Sequence, residues 1–481
     1  MTARDSDVEV VGNGLGGSTA AGAPAGIVGA LRRAFDSGRT RPAAWRKEQL
    51  RRMQAMLTEH EDELTAAMRS DLGKAPAEAW ATELRLVWRE IGHTLRHLDR
   101  WMRPEHVHVP AVLQPARAKV VCEPLGVALV VSPWNYPVQL LLLPMAAAIA
   151  AGNAVVGKPS ELAPATSAAV ARLVPTYLDP EAVAILEGGP AEARALLAER
   201  FDHIFYTGST RIARSVMEAA AKHLTPVTLE LGGKCPAIVD RDANLDVTAR
   251  RLAYGKFVNA GQTCVAPDYV LVHRDVERPL LDRLASMVRE FYGDDPKVSP
   301  DYGRIVTDHH FQRLMGLLEG GSFAETVAGG AAWADPASRY LPPTILRGVA
   351  PDAPVMGEEI FGPILPVLAV PDMAAAVAFV NDRPKPLSLY VFARHDAGAR
   401  GILAATSSGS ACVNTCIVQL AVPDLPFGGV GASGMGAYHG RRGFETFSHR
   451  KSVMTKPALP EPPLQYPPYT KLRQRLLRGI Y

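Results

Sequence analysis

A cysteine and a glutamate, each in a short glycine-containing string, are the residues of this sequence best suited to covalent chemistry. Cys264 lies within Asn259–Pro267, and Glu230 opens the string Glu-Leu-Gly-Gly-Lys thirty-four residues upstream. A thiol is a strong side-chain nucleophile, and a carboxylate can activate water. The pair therefore predicts a covalent intermediate on sulfur that is subsequently hydrolysed.

Both residues also have a plainer interpretation. Most cysteines are inert core residues, but Gly261 removes side-chain bulk near Cys264, and the two residues between them are polar. This environment favours a thiol that lines a cleft. Glu230 could be a solvated carboxylate at a strand end, but the two glycines that follow Leu231 would let the backbone approach a ligand closely.

A third candidate group is an asparagine between two prolines. Asn135 lies within Ser132–Pro137, just past a predicted strand that ends at Val131. A side-chain amide N–H can stabilise the oxyanion of a tetrahedral adduct, and one such donor contributes roughly 3 kcal/mol. An asparagine in this setting is alternatively an ordinary turn residue.

The composition is that of a soluble globular protein with more than one domain. The chain has 481 residues, of which 47% are hydrophobic and 21% charged, and this length exceeds one ordinary core. Its 52 basic and 49 acidic residues leave a net charge of +3. Such a balance does not indicate a nucleic-acid partner.

The cysteines and the apolar runs indicate the cellular compartment of the protein. Five scattered cysteines fit a reducing compartment better than a disulfide scaffold. Cys412 and Cys416 lack a second ligand pair, so we predict two apolar residues of a buried strand and no metal site. Met1–Asp7 has no apolar signal core, and Val138–Ala151 is shorter than the ~20 residues that span a bilayer. We expect a cytoplasmic protein without a membrane anchor.

Strands and helices alternate through most of the chain. A helical pattern over 27–101 is followed by a predicted hairpin, and an alternating pattern resumes from 269 to 410. Continuous apolar strands with crossover helices predict doubly wound α/β domains, which bind ligands beyond the carboxyl ends of their strands. The predicted hairpin strands are Val107–Val109 and Ala118–Cys122, and the predicted parallel strands are Val127–Val131, Ala154–Val156, Val183–Leu186, His203–Tyr206 and Val227–Leu231.

A glycine motif near the start of the chain is a weaker candidate. Gly12–Gly17 satisfies G-x-G-x-x-G, and Asp36 follows at a suitable distance. However, the apolar run before the motif is only a few residues long, and Ser18–Gly26 is rich in glycine and alanine rather than helix-patterned. We therefore predict a flexible leader over 1–26 instead of a dinucleotide site.

The strings around the three candidate groups resemble motifs of the NAD(P)-dependent aldehyde dehydrogenase superfamily. The resemblance runs from Ile27 to Met454, with each motif present once and in family order. It implies that Cys264 attacks an aldehyde carbon, that hydride passes to the nicotinamide, and that Glu230 activates the water that hydrolyses the thioester. It also implies that Asn135 and the backbone N–H of Cys264 hold the oxyanion. The presence of Glu230 favours a carboxylic acid over an acyl-coenzyme A product.

The same resemblance implies a set of cofactor-binding residues. Lys158 and Glu161 would hold the adenine ribose, and Glu161 would repel a 2′-phosphate, which favours NAD. Glu161 is also a suitable first-turn helix acid. Gly208 and Ser209 precede a helix whose N-terminus can meet a pyrophosphate, although Ala213 stands where the family commonly has glycine. The remaining members are Trp134, Gly232, Glu359, which would bind the nicotinamide ribose, and Phe361, which would contact the nicotinamide ring.

Finer features resemble the class 3 branch, which takes fatty and aromatic aldehydes. They are the strings at 260–269, 381–387 and 434–440 and the Tyr-Pro-Pro-Tyr sequence at 466–469. The resemblance implies a homodimer and tolerance of NADP beside NAD. Some relatives end in a membrane anchor, and we expect none after the tail that ends at Tyr481.

The resemblance predicts an aldehyde-dehydrogenase-like α/β fold that oxidises a medium- or long-chain aliphatic or aromatic aldehyde to its acid. Two alternatives stay open: a cysteine-dependent ester hydrolase, which would need a histidine base near Cys264, and a catalytically silent binding or structural relative. The predicted parts are a leader (1–26), a Rossmann-type NAD(P)-binding domain (27–106 and 125–232), an α/β catalytic domain (233–425) and a small β oligomerisation element (107–124 and 426–481).

Overall fold

Three β-sheets organise the protein, whose computed structural model describes residues 24–461 and 466–480. Within these residues, one sheet has six strands, in spatial order Gly434–Met435, Val227–Leu231, His203–Gly208, Val127–Val131, Ala154–Lys158 and Val183–Ile185. A second has seven, in the order Glu325–Ala328, Thr344–Arg347, Ile364–Val370, Tyr269–His273, Pro236–Val239, Ser388–Phe392 and Ser410–Val413. A third has three, Glu105–Val107, Arg117–Pro124 and Ser448–Thr455.

The six-stranded sheet carries most of the predicted site. Its strands pair in parallel except for Gly434–Met435, which runs antiparallel to Val227–Leu231. The apolar strand Val127–Val131 is almost entirely buried because helices cover both faces of the sheet. The predicted bounds of Val127–Val131 and Val227–Leu231 are confirmed residue for residue. The carboxyl ends of these strands lie beside one another, which brings the segments that follow them together.

Helices pack on these sheets. The helix Gln139–Ala151 contains Pro144 and is buried on nearly every side, as its uninterrupted apolar sequence predicts. The other longer helices are Pro24–Asp36, Ala43–Glu59, Glu61–Leu72, Arg85–Trp101, Pro164–Tyr177, Pro190–Ala198, Thr210–Ala221, Leu245–Phe257, Glu277–Tyr292, Asp308–Glu319, Met373–Asn381, Asp396–Ala405 and Lys471–Ile480.

The seven-stranded sheet confirms the second α/β unit. Six of its strands pair in parallel, and the edge strand Glu325–Ala328 runs antiparallel to Thr344–Arg347. The helix Leu245–Phe257 packs against Glu277–Tyr292 and leads toward Cys264. The fold is therefore the expected α/β arrangement of two parallel sheets with helical layers.

The small sheet joins the predicted hairpin to a strand near the end of the chain. Glu105–Val107 and Ser448–Thr455 both run antiparallel to Arg117–Pro124. The predicted 426–481 segment is not confined to this sheet, however, because Gly434–Met435 pairs with the six-stranded sheet. Two residues in a glycine-rich string carry no strand pattern, so the sequence could not predict that pairing.

Two local predictions need correction. Of the predicted leader, residues 1–23, which include Gly12–Gly17, lie outside the described residues; the first helix begins at Pro24, three residues earlier than predicted. Proline is tolerated in the first turn of a helix because the N–H it lacks has no helical partner there. Cys412 lies in a strand, but Cys416 is buried beyond its end, where its thiol donates to the Arg251 carbonyl at 2.9 Å.

The described residues contain neither a candidate membrane span nor a candidate metal site. No helix among them is long and apolar enough to cross a bilayer. Nor does this part of the chain bring three or more His, Cys, Asp or Glu side chains together in a way that could hold a metal ion.

Candidate active site

A left-handed turn precedes Cys264, the predicted nucleophile. After the helix Leu245–Phe257, Asn259, Ala260 and Gly261 adopt φ values of 54°, 50° and 76°. A side chain at Gly261 would meet the Gly362 carbonyl, since a Cβ there would lie 2.3 Å from that oxygen. The turn therefore requires glycine for both its conformation and its close approach. It leaves the Cys264 side chain half-buried.

Glu230 lies directly beside the thiol. Its strand, Val227–Leu231, leaves the side chain only 2% exposed. The Sγ of Cys264 donates to its Oε1 at 3.6 Å, and the Thr207 hydroxyl donates to Oε2 at 3.1 Å. Thr207 was not predicted, although its strand was. The register of the two strands pairs Thr207 with Glu230, which explains the contact.

The protonation of the pair follows from its burial. Burial raises the pKa of Glu230 to about 7, against the opposing hydrogen bonds from Thr207 and Cys264. Burial and then the Glu230 charge raise the pKa of Cys264 well above its ordinary value. The resting thiol therefore keeps its proton near neutral pH, and a carboxylate that titrates in this range lies in contact to receive it.

Asn135 contacts the turn that leads to Cys264. It is 1% exposed, and its side-chain N–H donates to the Gln262 carbonyl at 3.0 Å. An amide nitrogen carries two hydrogens, so this bond orients the group and leaves the second hydrogen for an oxyanion. Among the described residues, Oδ1 of Asn135 has no hydrogen-bond partner.

Glu359 and Phe361 face the same cleft from the second sheet. The rings of Phe361 and Trp134 lie edge to face with centroids 5.3 Å apart, and Phe361 has a left-handed φ of 50°. A Cβ on Gly232 would lie 2.0 Å from Oε2 of Glu359. The Glu359 carboxylate therefore packs directly against the Gly232 backbone and leaves no room for a side chain there. Burial raises the pKa of Glu359 to about 8, against a hydrogen bond from the Gly233 N–H.

The predicted nucleotide-binding residues lie at the carboxyl ends of the parallel strands. Nζ of Lys158 is 2.7 Å from Oε2 of Glu161, and Glu161 is the exposed partner. Ser209 caps the helix Thr210–Ala221 by accepting from the Ile212 N–H at 3.4 Å, and Gly208 precedes it without side-chain bulk. An exposed carboxylate and a bare helix N-terminus fit a ribose and a pyrophosphate respectively.

A buried ion pair that was not predicted joins these loops. Nζ of Lys234 is 2.5 Å from Oδ2 of Asp268 and donates to the Glu358 carbonyl at 2.8 Å. Oδ1 of Asp268 accepts from the Ile360 N–H at 3.0 Å. The pair thus holds the Glu359 loop against the segment that follows Cys264. Lys234 belongs to the Glu-Leu-Gly-Gly-Lys string, but nothing in the sequence indicated its partner.

An apolar cavity approaches the nucleophile from the side of the N-terminal helices. Its volume is about 130 Å³, and Thr263, the neighbour of Cys264, forms part of its wall. Tyr438 is among its lining residues, whereas His439 and Phe447 are not. The other lining residues are Ala81, Thr82, Leu86, Tyr136, Gln139, Leu140, Tyr254, Ile417, Val418, Leu420, Ala421 and Phe427.

Known proteins resemble the chain over almost its whole length. The aldehyde dehydrogenase family model matches residues 18–453. Rattus norvegicus dimeric NADP-preferring aldehyde dehydrogenase is 48% identical over 91% of this chain and 96% of its own. Mus musculus aldehyde dehydrogenase family 3 member A2 is 47% identical over 91% of this chain and 90% of its own. The substrate-bound structure of Staphylococcus aureus AldH aligns with a TM-score of 0.91 at 41% identity, covering 94% of this chain and 98% of that one.

The chain therefore belongs to the aldehyde dehydrogenase family. The predicted resemblance to the class 3 branch is confirmed by these relatives, and the protein is an NAD(P)-dependent aldehyde dehydrogenase.

Proposed function

We propose that Cys264, Glu230 and Asn135 carry out the oxidation through a covalent intermediate on sulfur. The observation that supports this most directly is the 3.6 Å contact between the Cys264 thiol and Oε1 of Glu230. An ester hydrolase of the kind considered above would need an imidazole at this position. The hydrogen-bond partner of the thiol is instead a carboxylate.

In the first step, Glu230 receives the thiol proton as Sγ forms a bond to the aldehyde carbon. The carbonyl π electrons move to oxygen, and the free N–H of Asn135 and the backbone N–H of Cys264 stabilise the resulting thiohemiacetal anion. The Gln262 carbonyl fixes the orientation of the Asn135 amide. Little reorganisation is needed as charge develops, which is the basis of such stabilisation.

The site residues fit the cofactor, since the exposed Glu161 carboxylate can accept from a ribose hydroxyl and the first N–H groups of the helix Thr210–Ala221 can meet a pyrophosphate. Bound NAD(P) supplies the hydride acceptor that turns the thiohemiacetal into a thioester. The residues that would hold it are Trp134, Lys158, Glu161, Gly208, Ser209, Gly232, Glu359 and Phe361.

In the last step, Glu230 removes a proton from water, whose oxygen attacks the thioester carbon. The carbon–sulfur bond then breaks, Glu230 returns this proton to the departing sulfur, and the carboxylic acid leaves. Glu230 must first have released to solvent the proton it took from the Cys264 thiol. Its pKa of about 7 allows this release near neutral pH.

The proposed substrates are medium- and long-chain aliphatic or aromatic aldehydes. Support comes from the cavity beside Thr263, in which Leu140, Ile417 and Phe427 form apolar walls and Tyr136 and Tyr438 form aromatic ones. Such a lining favours apolar chains and rings through burial of their surface.

We propose NAD as the preferred cofactor, with NADP also used. The exposed Glu161 carboxylate can accept from a ribose 2′-hydroxyl and repels a 2′-phosphate. The adjacent Lys158 partly offsets that repulsion, because the two charges are only 2.7 Å apart. The rat relative is named NADP-preferring, which supports use of the second cofactor.

We also propose a homodimer in a reducing, cytoplasmic compartment. The rat relative is named dimeric, and the small sheet has two outer strands, Glu105–Val107 and Ser448–Thr455, that could meet another subunit. All five cysteines are free, which suits a reducing environment. Analytical ultracentrifugation should give the mass of two subunits. A mass of one subunit would contradict the dimer proposal.

A single-turnover experiment tests the assigned roles. Wild type, Cys264→Ser and Glu230→Gln would be mixed with NAD and an aromatic aldehyde, and NADH followed by absorbance. We expect steady turnover for wild type, no NADH for Cys264→Ser, and a single, slowly formed equivalent of NADH for Glu230→Gln, since this variant lacks the base of both steps and hydrolyses the thioester slowly. Cys122→Ser, which alters a half-buried cysteine of the small sheet, is the matched control and should turn over normally. Full turnover by Cys264→Ser would refute the mechanism.

A further inference from the structure

Two charged side chains that the mechanism does not use lie beneath the Asn135 segment. Lys74 follows the helix Glu61–Leu72, and Glu83 lies in a π-helical turn, Trp80–Leu84. Both side chains are 0% exposed, and Nζ of Lys74 is 2.5 Å from Oε1 of Glu83. A buried ion pair adds little net stability because both charges lose their hydration, and π-helical turns are frequent at functional sites.

The ammonium of this pair holds the main chain of Asn135. Nζ of Lys74 donates to the Asn135 backbone carbonyl at 3.0 Å, and the side-chain amide of Asn259 donates to the same oxygen at 2.8 Å. The ammonium also lies 4.1 Å from the centroid of the Tyr136 ring. A charged donor makes a stronger hydrogen bond than a neutral one. The peptide that follows Asn135 is therefore fixed on a buried charge.

The carboxylate holds the other end of the same segment. Oε2 of Glu83 accepts from the backbone N–H groups of Val138 and Gln139 at 2.8 and 3.2 Å. These groups begin the helix Gln139–Ala151 and have no partner within it. A negative charge is also favoured at a helix N-terminus. One ion pair thus fixes both ends of the turn that carries the amide.

The segment is connected in turn to the nucleophile turn. The Asn259 amide donates to the Gln262 carbonyl at 3.1 Å, and the Asn135 amide donates to that oxygen at 3.0 Å. The backbone N–H of Asn259 donates to Oε1 of Glu78 at 3.0 Å, and Glu78 lies just before the π-helical turn in the sequence. The direction of the Asn135 amide relative to the thiol therefore depends on what holds its main chain.

We propose that the Lys74–Glu83 ion pair is a positioning device that aims the Asn135 amide at the oxyanion. The proposal rests on the role given to Asn135 above. Neither charge touches the reacting atoms. Both act through the main chain at the two ends of the turn, so their loss misdirects the oxyanion donor while the thiol, its base and the cofactor residues stay in place.

The test uses two ways of removing the pair. Lys74→Met leaves the Glu83 charge unpaired, whereas the double variant Lys74→Met/Glu83→Leu removes both charges and fills the space with apolar groups. Such double replacements of buried pairs are tolerated by folding, so the double variant keeps the test valid if the single one unfolds. Lys47→Met is the control, because it breaks a pair with Asp99 at 2.6 Å at the surface of the helical layer.

The expected result is a loss of rate without a loss of binding. We expect the single-turnover rate of NADH formation to fall about 10- to 100-fold in the double variant, because a misplaced oxyanion donor costs on this order. The Kd for NAD and the rate of Cys264 alkylation by iodoacetamide, which forms no oxyanion, should stay within about twofold. The Lys47→Met rate should equal that of wild type.

A double-mutant cycle with Asn135→Ala separates positioning from general support of the fold. If the pair acts through Asn135, its removal in the Asn135→Ala background should change the rate by less than about twofold. Losses that multiply in the combined variant, or alkylation that falls in step with the single-turnover rate, would overturn the positioning role alone. An unchanged rate in Asn135→Ala by itself would instead contradict the proposed role of Asn135.

Discussion

The two ends of the proposed active cleft are built differently. At the catalytic end, Glu230 and Asn135 are 2% and 1% exposed, and each is held by hydrogen bonds to a neighbouring strand or turn. At the nucleotide end, Glu161 and Ser209 are exposed, and Glu161 is held by a single ion pair with Lys158. Chemistry requires fixed groups in a dry environment, whereas a cofactor that enters and leaves can be met by groups at the surface.

This difference has an energetic consequence. A carboxylate buried at the catalytic end is destabilising when charged, because it has lost its hydration. An exposed carboxylate at the nucleotide end carries no such cost. Substitutions at the two ends should therefore differ in their effects on stability, on rate and on pH dependence.

The largest effect should be on stability, in Glu230→Gln. The folded pKa of about 7 lies above the unfolded value of 4.5, so the wild type is destabilised as pH rises through this window. At pH 8 the free energy of unfolding should increase by about 3 kcal/mol in the variant. Denaturant titrations should show the gain shrinking toward pH 5. A gain that does not depend on pH would show that the charge is not its cause.

A second large effect should come from the nucleophile turn. In Gly261→Ala the new Cβ would lie 2.3 Å from the Gly362 carbonyl oxygen, at a φ of 76°, so the turn or its neighbour must move. A displacement of about 1 Å at the thiol should lower kcat about 100-fold. Gly316→Ala is the control, since that helical glycine has open space around its Cβ position. Equal kcat values in the two variants would argue against a tightly fitted turn.

The pH profile offers a more moderate test. Because Glu230 is an effective base only when ionised, the hydrolytic step should slow as pH falls below about 7. We expect about a tenfold decrease in kcat between pH 8 and pH 6, provided that thioester hydrolysis limits turnover. Stopped-flow measurement of the NADH burst identifies the limiting step at each pH. A flat profile with hydrolysis limiting would exclude Glu230 as the base.

The smallest effect should arise at the nucleotide end. Glu161→Gln removes the charge that repels a 2′-phosphate and frees Lys158 to meet it. We expect the ratio of kcat/KM for NADP over NAD to rise about tenfold, with kcat for NAD nearly unchanged. Glu187→Gln, which changes a carboxylate paired with Ser167, is a suitable control. A fall in kcat for NAD would contradict this prediction, because it would show that Glu161 affects the chemical step as well as cofactor binding.

The sequence predicted what local pattern determines. Strands such as Val127–Val131 are uninterrupted apolar runs with turn residues on either side, and their bounds are confirmed. Cys264, Glu230 and Asn135 were named from their strings, and they lie together because each follows or ends a parallel strand or its connecting helix. Their catalytic roles stay predictions until the variants are measured.

The sequence did not predict contacts between distant charged residues. Lys74 and Glu83 are charged residues in helical surroundings, and the general expectation is that such side chains face water. Lys234 and Asp268 are thirty-four residues apart, so only the tertiary fold brings them within 2.5 Å. Polar groups of this kind have no periodicity in the sequence. Their partners are determined by tertiary packing: Lys234 and Asp268, for example, precede two neighbouring strands of the seven-stranded sheet.

The short strand Gly434–Met435 has a consequence for biosynthesis. It pairs Gly434 with Glu230 and Met435 with Leu229, and it approaches so closely that a Cβ on Gly434 would lie 2.1 Å from the Leu229 carbonyl oxygen. The strand that carries Glu230 therefore lacks one neighbour in its sheet until residue 434 of 481 has left the ribosome. A nascent or truncated chain that contains Cys264 and Glu230 but not Gly434 would therefore lack part of the sheet that surrounds the proposed base.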